Sequence, residues 1–96
     1  MPEIHQTEVY ARWFRSIRDR HARMRVLARV RRLSLGNAGD VAPVGKGISE
    51  LRIHYGPGYR VYYIQTSLSR IVLLTGGDKD SQQQDIRKAR EVARRL

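Results

Sequence analysis

The stretch Ile48-Ser49-Glu50-Leu51-Arg52-Ile53-His54-Tyr55-Gly56-Pro57-Gly58-Tyr59-Arg60-Val61-Tyr62-Tyr63-Ile64 decides the fold. Each half alternates apolar with polar residues, the period of a half-buried strand. Gly56-Pro57-Gly58 lies between them, and glycine takes positive φ without strain, so the segment predicts a β-hairpin with a short loop. A slip of one residue would turn a whole strand inside out, so the apolar sets should fix the register. Aligning Leu51, Ile53 and Tyr55 with the Val61 and Tyr63 set pairs Leu51 with Tyr63, Ile53 with Val61 and Tyr55 with Tyr59. By parity the other face sets Arg52 across from Tyr62 and His54 across from Arg60, with Glu50 one step further along. Guanidinium, imidazole and phenol groups then converge on a water-facing side that the core does not need. Plain cross-strand stabilisation, roughly 0.2–1 kcal/mol per pair, accounts for the same pattern locally.

Upstream of this hairpin the period changes from two to about 3.6. Thr7 can cap a helix whose Val9, Tyr10, Trp13, Phe14 and Ile17 form one stripe, with Glu8 at its positive end. Asp19 reads as a second N-cap, opening a helix that turns Met24, Leu27, Val30 and Leu33 inward until Gly36-Asn37 stops it. So short a connection predicts an αα-hairpin. Gly36–Gly47, with Pro43, reads as a loop. Downstream, Ser69-Arg70-Ile71-Val72-Leu73-Leu74 is a third strand, and its unbroken apolar run implies cover on both faces. Thr75-Gly76-Gly77 should break it, and a last helix starts near Asp80-Ser81 and carries Ile86, Ala89, Val92, Ala93 and Leu96. The order predicts one α+β domain over residues 1–96, a meander sheet with the helical pair on one face.

Charge supplies the functional hint. Nineteen Lys+Arg against nine Asp+Glu give a formal net charge of +10. Arginine dominates the basic set, and its planar fork matches phosphate better than an ammonium does. A polyanion is therefore expected as partner: nucleic acid, or an acidic protein that masks the same surface. Cysteine is absent, which removes disulfides and thiolate metal sites. His5, His21 and His54 lack ligand spacing, so no metal and no cofactor is expected. No apolar run is long enough to span a bilayer and the N-terminus has no signal-like core, so the expectation is a soluble, cytoplasmic protein.

Taken together, Leu35-Gly36-Asn37-Ala38-Gly39-Asp40, Pro43-Val44-Gly45-Lys46-Gly47, the Glu50-to-Tyr62 hairpin, Gly76-Gly77-Asp78-Lys79, Gln82, Asp85-Ile86 and Ala89 carry a resemblance. The chain resembles the RelE/ParE toxin superfamily, in its phage-associated HigB-like branch of addiction module killer proteins. That resemblance implies a RelE-like (microbial RNase-like) fold: an antiparallel sheet, an N-terminal helical hairpin on one face, a C-terminal helix, and an extra strand near Pro2–Gln6. It implies a cognate antitoxin as partner, commonly a small helix-turn-helix protein in this branch. Its activities are cleavage of mRNA on the ribosome in RelE-like members and inhibition of DNA gyrase in ParE-like ones; a basic nucleic-acid-binding module without catalysis is a third reading. Fold alone does not choose among these.

For cleavage the resemblance places Arg60, Arg52 and Lys79 at basic site positions. Arginine and lysine suit the crowded phosphate of the transition state. Proton transfer then falls to His54, since histidine changes charge nearest neutral pH, or to Tyr62, which could instead stack on a base or simply pack. Lys46, Arg52 and Arg60 are the candidate RNA-binding residues. The tyrosine that some RelE-like enzymes place near the C-terminus has no counterpart here; Gln82, Gln83 and Gln84 occupy that region. Gly76-Gly77-Asp78-Lys79 lacks phosphate-loop spacing and carries acids at the helix start, so it reads as a strand-to-helix turn.

Overall fold

The computed structural model describes all residues, 1–96. The elements run β1 (Glu3–Gln6), α1 (Glu8–Ser16), α2 (Arg20–Ser34), β2 (Val41–Pro43), β3 (Ile48–Ile53), β4 (Tyr59–Ser67), β5 (Arg70–Gly77), a 3-10 turn (Lys79–Ser81) and α3 (Gln82–Arg94). The sheet order is β1-β5-β4-β3-β2. β1 lies parallel to β5 while every other pairing is antiparallel, so the sheet is mixed. The expected all-antiparallel sheet is corrected on that point. The reason is topological: α1 returns the chain across the sheet between its first strand and the hairpin.

Both expected N-caps are made. Thr7 Oγ1 accepts from Tyr10 N–H at 3.0 Å, and Asp19 Oδ1 accepts from His21 N–H at 2.9 Å. On one face of the sheet, Tyr10 and Ile17 from α1 and Ala22, Val26 and Leu33 from α2 meet Leu51, Ile53, Val61, Tyr63, Ile71 and Leu73. Burying each large aliphatic of this kind stabilises by roughly 1.5–3 kcal/mol. The inward stripe of α2 differs from the expected one. Ala22 and Val26 are buried, whereas Met24 and Leu27 face solvent at 62% and 55% exposure. Ala22 packs closely because it is small, a choice that a search for large apolar residues passes over.

The opposite face is covered too. α3 lays Ala89 and Val92 on Ile48, Tyr62, Val72 and Leu74. The continuous apolar run of β5 is thereby explained, with Ile71 and Leu73 beneath the two N-terminal helices and Val72 and Leu74 beneath α3. β5 does not stop at Thr75. It continues through Gly77, still paired with β4, and glycine is the residue that fits there because side chains stand where a Cβ would be: Trp13 against Gly76 and Asp85 against Gly77. The expected loop before β3 also contains a short edge strand, with Val41 opposite Leu51.

The hairpin keeps its predicted faces but shifts its register. Leu51 pairs with Val61, Arg52 with Arg60 and Ile53 with Tyr59, so the loop runs from His54 to Gly58. A shift of two residues preserves parity and therefore costs no burial. In this register Tyr55 lies outside the ladder. Its hydroxyl donates to Asp19 Oδ2 at 3.0 Å, and the Arg25 guanidinium sits 4.7 Å over its ring.

Candidate functional site

At the loop end of the α3 face, β3 and β4 set Arg52 directly opposite Arg60, with Glu50 opposite Tyr62 one step behind them. Glu50 is fully buried. Arg52 Nε donates to its Oε1 at 2.9 Å; the Tyr62 hydroxyl and Gln82 Nε2 donate to Oε2 at 2.9 and 2.8 Å. Arg60 Nε stands 3.9 Å from the same oxygen and has no hydrogen-bond partner, while its Nη1 donates to Gly58 O at 2.6 Å. Burial by itself raises the Glu50 pKa, but the hydrogen bonds from Arg52, Gln82 and Tyr62 outweigh it and hold the carboxyl below its ordinary range. Burial, and then the bond to Glu50, push the Tyr62 phenol well above its usual value. A buried carboxylate between two arginines offsets part of their charge and fixes their direction.

Arg52 keeps 37% of its side chain exposed and Arg60 keeps 12%, so both reach the surface beside the loop. Lys79 is exposed and lies against the same loop, its N–H 3.5 Å from Pro57 O. Gly58 is obligatory here. Its φ is +81°, and a Cβ would stand 2.9 Å from Arg60 Nη1. Arg52 and Arg60 are thus brought together at one loop, and Lys79 meets the same loop through its main chain and Cβ.

The remaining sequence candidates sort differently. Tyr62 is fully buried beneath α3 and cannot stack on a base; its role is to hold Glu50. The water-facing side expected there is largely a second core, because α3 supplies Ala89 and Val92 to cover it. His54 is exposed but lies beyond the end of β3 rather than across from Arg60, and its ring bonds Asp40. That hydrogen bond lowers the Asp40 pKa, helped by the charge of Arg52, from which Asp40 is 4.0 Å away. Asp40 therefore links His54 to Arg52. Lys46 lies in the turn before β3 with Arg90 and Arg94 beside it, at the opposite end of that strand from Arg52, and does not join the cluster.

Sequence reasoning noted Glu50 and Gln82 without giving them a role. Parity already put Glu50 on the arginine face; that Gln82 would reach it depends on how α3 docks. Arg29 was missed as a support. From α2 it donates to Arg52 O at 2.6 Å and Ala38 O at 2.9 Å, bracing the β3 end against the preceding loop. No group of three or more His, Cys, Asp or Glu side chains gathers in a metal-binding arrangement, and no helix is long and apolar enough to cross a membrane.

Fold and site define an α+β domain of three helices on a five-stranded mixed sheet, with a cationic cluster at one sheet end. The chain belongs to the family described as phage derived protein Gp49-like (DUF891), whose model matches residues 12–96. It is also 39% identical over 94 residues to an "Uncharacterized protein" of Haemophilus influenzae (strain ATCC 51907 / DSM 11121 / KW20 / Rd), covering 98% of this chain and 95% of that one.

Proposed function

We propose that this protein is the toxin of a type II toxin–antitoxin pair of the RelE/ParE superfamily, and that it acts as a metal-independent endoribonuclease on mRNA at the ribosome. The Gp49-like family is associated with such toxins. The observation that carries the nuclease reading is the Arg52–Arg60 pair, directly opposed on one face with Lys79 beside it, set by the buried Glu50. Three cations around one loop suit a phosphodiester whose neighbouring 2′-OH attacks it, because charge builds on the phosphate oxygens in that transition state. Arg60 and Arg52 bind and stabilise the phosphate. Lys79 steadies the leaving side. His54, coupled to Arg52 through Asp40, is the proton-transfer group within reach of the cluster. The net charge of +10 supports an RNA substrate, and equally an acidic antitoxin that masks this surface.

Induced expression with mapping of new RNA 5′ ends tests the reading. Wild type should create new ends within coding sequences and stop growth, and Arg60→Ala should do neither while remaining folded. Intact mRNA with growth arrest and DNA damage signalling would instead identify a gyrase-directed toxin.

A further inference from the structure

A second cleft, between α1 and α3, takes no part in the cluster around Arg60. Its floor is the end of β5. β1 pairs with β5 only as far as Gln6 opposite Leu73. There the chain turns into α1, and Thr7 closes the pairing, its N–H donating to Leu73 O at 3.1 Å and its Oγ1 to Leu74 O at 2.8 Å. Beyond Leu74 the outer edge of β5 has no neighbouring strand. Main-chain groups alternate between the two edges of a strand. β5 bulges at Leu74, where its register with β4 shifts, so Leu73 and Leu74 both turn their carbonyls outward; past the bulge Thr75 faces its partner Tyr62, and Gly76 turns its N–H and C=O to the open edge. No hydrogen bond from β1, the helices or the loops reaches either group. Gly76 lines the cleft above this edge, so its N–H and C=O are left for a partner from outside the fold. The edge is suited to a ligand that presents an acceptor beside a donor.

Above this edge stands a cleft of about 560 Å³, within the range of small-ligand sites. Arg12 and Trp13 of α1 form one wall, and Asp85 and Lys88 of α3 form the other. Arg12 and Lys88 are exposed and set a cation on each wall, with the carboxyls of Asp78 and Asp85 at the β5–α3 end; Trp13 is half-buried and offers aromatic surface. Asp85 Oδ2 accepts from the Ser81 hydroxyl at 2.5 Å, and burial raises the pKa of this carboxyl.

A free strand edge can also recruit another strand. This one spans only Thr75–Gly77, about 10 Å at a normal rise, and Thr7 blocks its upstream end, so a peptide could form almost no ladder. A nucleobase fits better. It carries donor and acceptor side by side on one edge, a flat face for Trp13, and a phosphate for Arg12 and Lys88.

We propose that the α1–α3 cleft binds a single unpaired nucleotide of RNA, its base edge read by the Gly76 main chain and its phosphate held by Arg12 and Lys88. The assignment of that nucleotide to an RNA strand rests on the nuclease reading. Gly77 pairs with Arg60, so the floor of the cleft and the cationic cluster lie on adjacent strands.

The chain has one tryptophan, so Trp13 fluorescence reports this cleft. Full-length protein is titrated with AMP, GMP, CMP and UMP, and in parallel with ribose 5-phosphate and inorganic phosphate, while amide shifts of Gly76 and Gly77 are followed by NMR. At least one nucleotide should quench Trp13 saturably and move the Gly76 amide, with ribose 5-phosphate bound at least about ten-fold more weakly, the base supplying stacking and edge contacts. Arg12→Ala and Lys88→Ala should each weaken binding about two- to five-fold, as exposed cations do, with unchanged melting. Equal binding of ribose 5-phosphate, or quenching that leaves the Gly76 amide unmoved, would overturn the assignment. Binding in these titrations requires no cleavage. Nucleotide binding by a wild type that cuts no RNA keeps the cleft and removes only the nuclease.

Discussion

The two faces of the sheet solve the problem of burial differently. Beneath α1 and α2 the face is apolar along its whole length, from Leu51 and Ile53 through Val61 and Tyr63 to Ile71 and Leu73. Beneath α3 it is graded. At the far end Ile48 and Val72 meet Val92 and Ala89, but toward the β3–β4 loop the partners become Glu50, Arg52, Arg60, Thr75 and Gln82. The grading follows α3 itself, whose first turn is Gln82-Gln83-Gln84-Asp85 and whose later turns carry Ala89 and Val92. One face holds the molecule together. The other does so at one end and presents charged chemistry at the other.

Four changes would break or sharpen that contrast. Leu51→Ala opens a cavity in the apolar face and should cost about 2–5 kcal/mol, seen as a lower denaturation midpoint, with activity per folded molecule unchanged. If activity fell in proportion to neither stability nor folded fraction, the faces would not be independent. Arg60→Ala should act chiefly on chemistry, lowering RNA cleavage per folded molecule by about 10²–10³-fold, the usual loss for one transition-state donor, with a lower melting temperature as well because it leaves the buried Glu50 with one arginine fewer. Glu50→Gln keeps the shape but removes the charge that Arg52 and Arg60 surround, and should cost roughly 1–2 kcal/mol at neutral pH. Its pH dependence has a defined sign. The folded Glu50 pKa lies below the ordinary value of about 4.3, so the stabilisation is complete above that value and disappears as pH falls through the lower, folded one. The melting curves of Glu50→Gln and wild type should therefore converge in acid.

Asp85→Asn should show the smallest effect, and the opposite sign. Burial raises the Asp85 pKa, so the folded protein favours the protonated carboxyl at low pH and loses that advantage as pH rises through the raised value. The amide should melt about a few degrees higher at neutral pH and level with wild type in acid, measured by circular dichroism. A lower melting temperature at neutral pH would mean that the charged carboxylate is stabilised by a partner such as Lys88 more than burial opposes it.

Much of the scaffold is legible in local pattern. The caps at Thr7 and Asp19, the alternation around Gly56-Pro57-Gly58 and the doubly covered β5 each follow from neighbours in the chain. β1 and β2 are four and three residues long, too short to show a period, and they exist because β5 and β3 offer edges to pair with. Gly76 and Gly77 look like a strand end when read alone; only the arrival of Trp13 and Asp85 explains why glycine belongs inside the strand.

What the amino-acid order determined by itself is therefore which side chains share a face, since strand parity and helix period are set between residues close in the chain. Arg52, Arg60, Glu50 and Tyr62 fall on one side for that reason alone. Which of them meets water was decided by tertiary structure. The docking of α3 buried Tyr62 and Glu50 and left Arg52 and Arg60 at the rim, because the cover a face receives depends on a helix that lies roughly twenty to forty residues further along the chain.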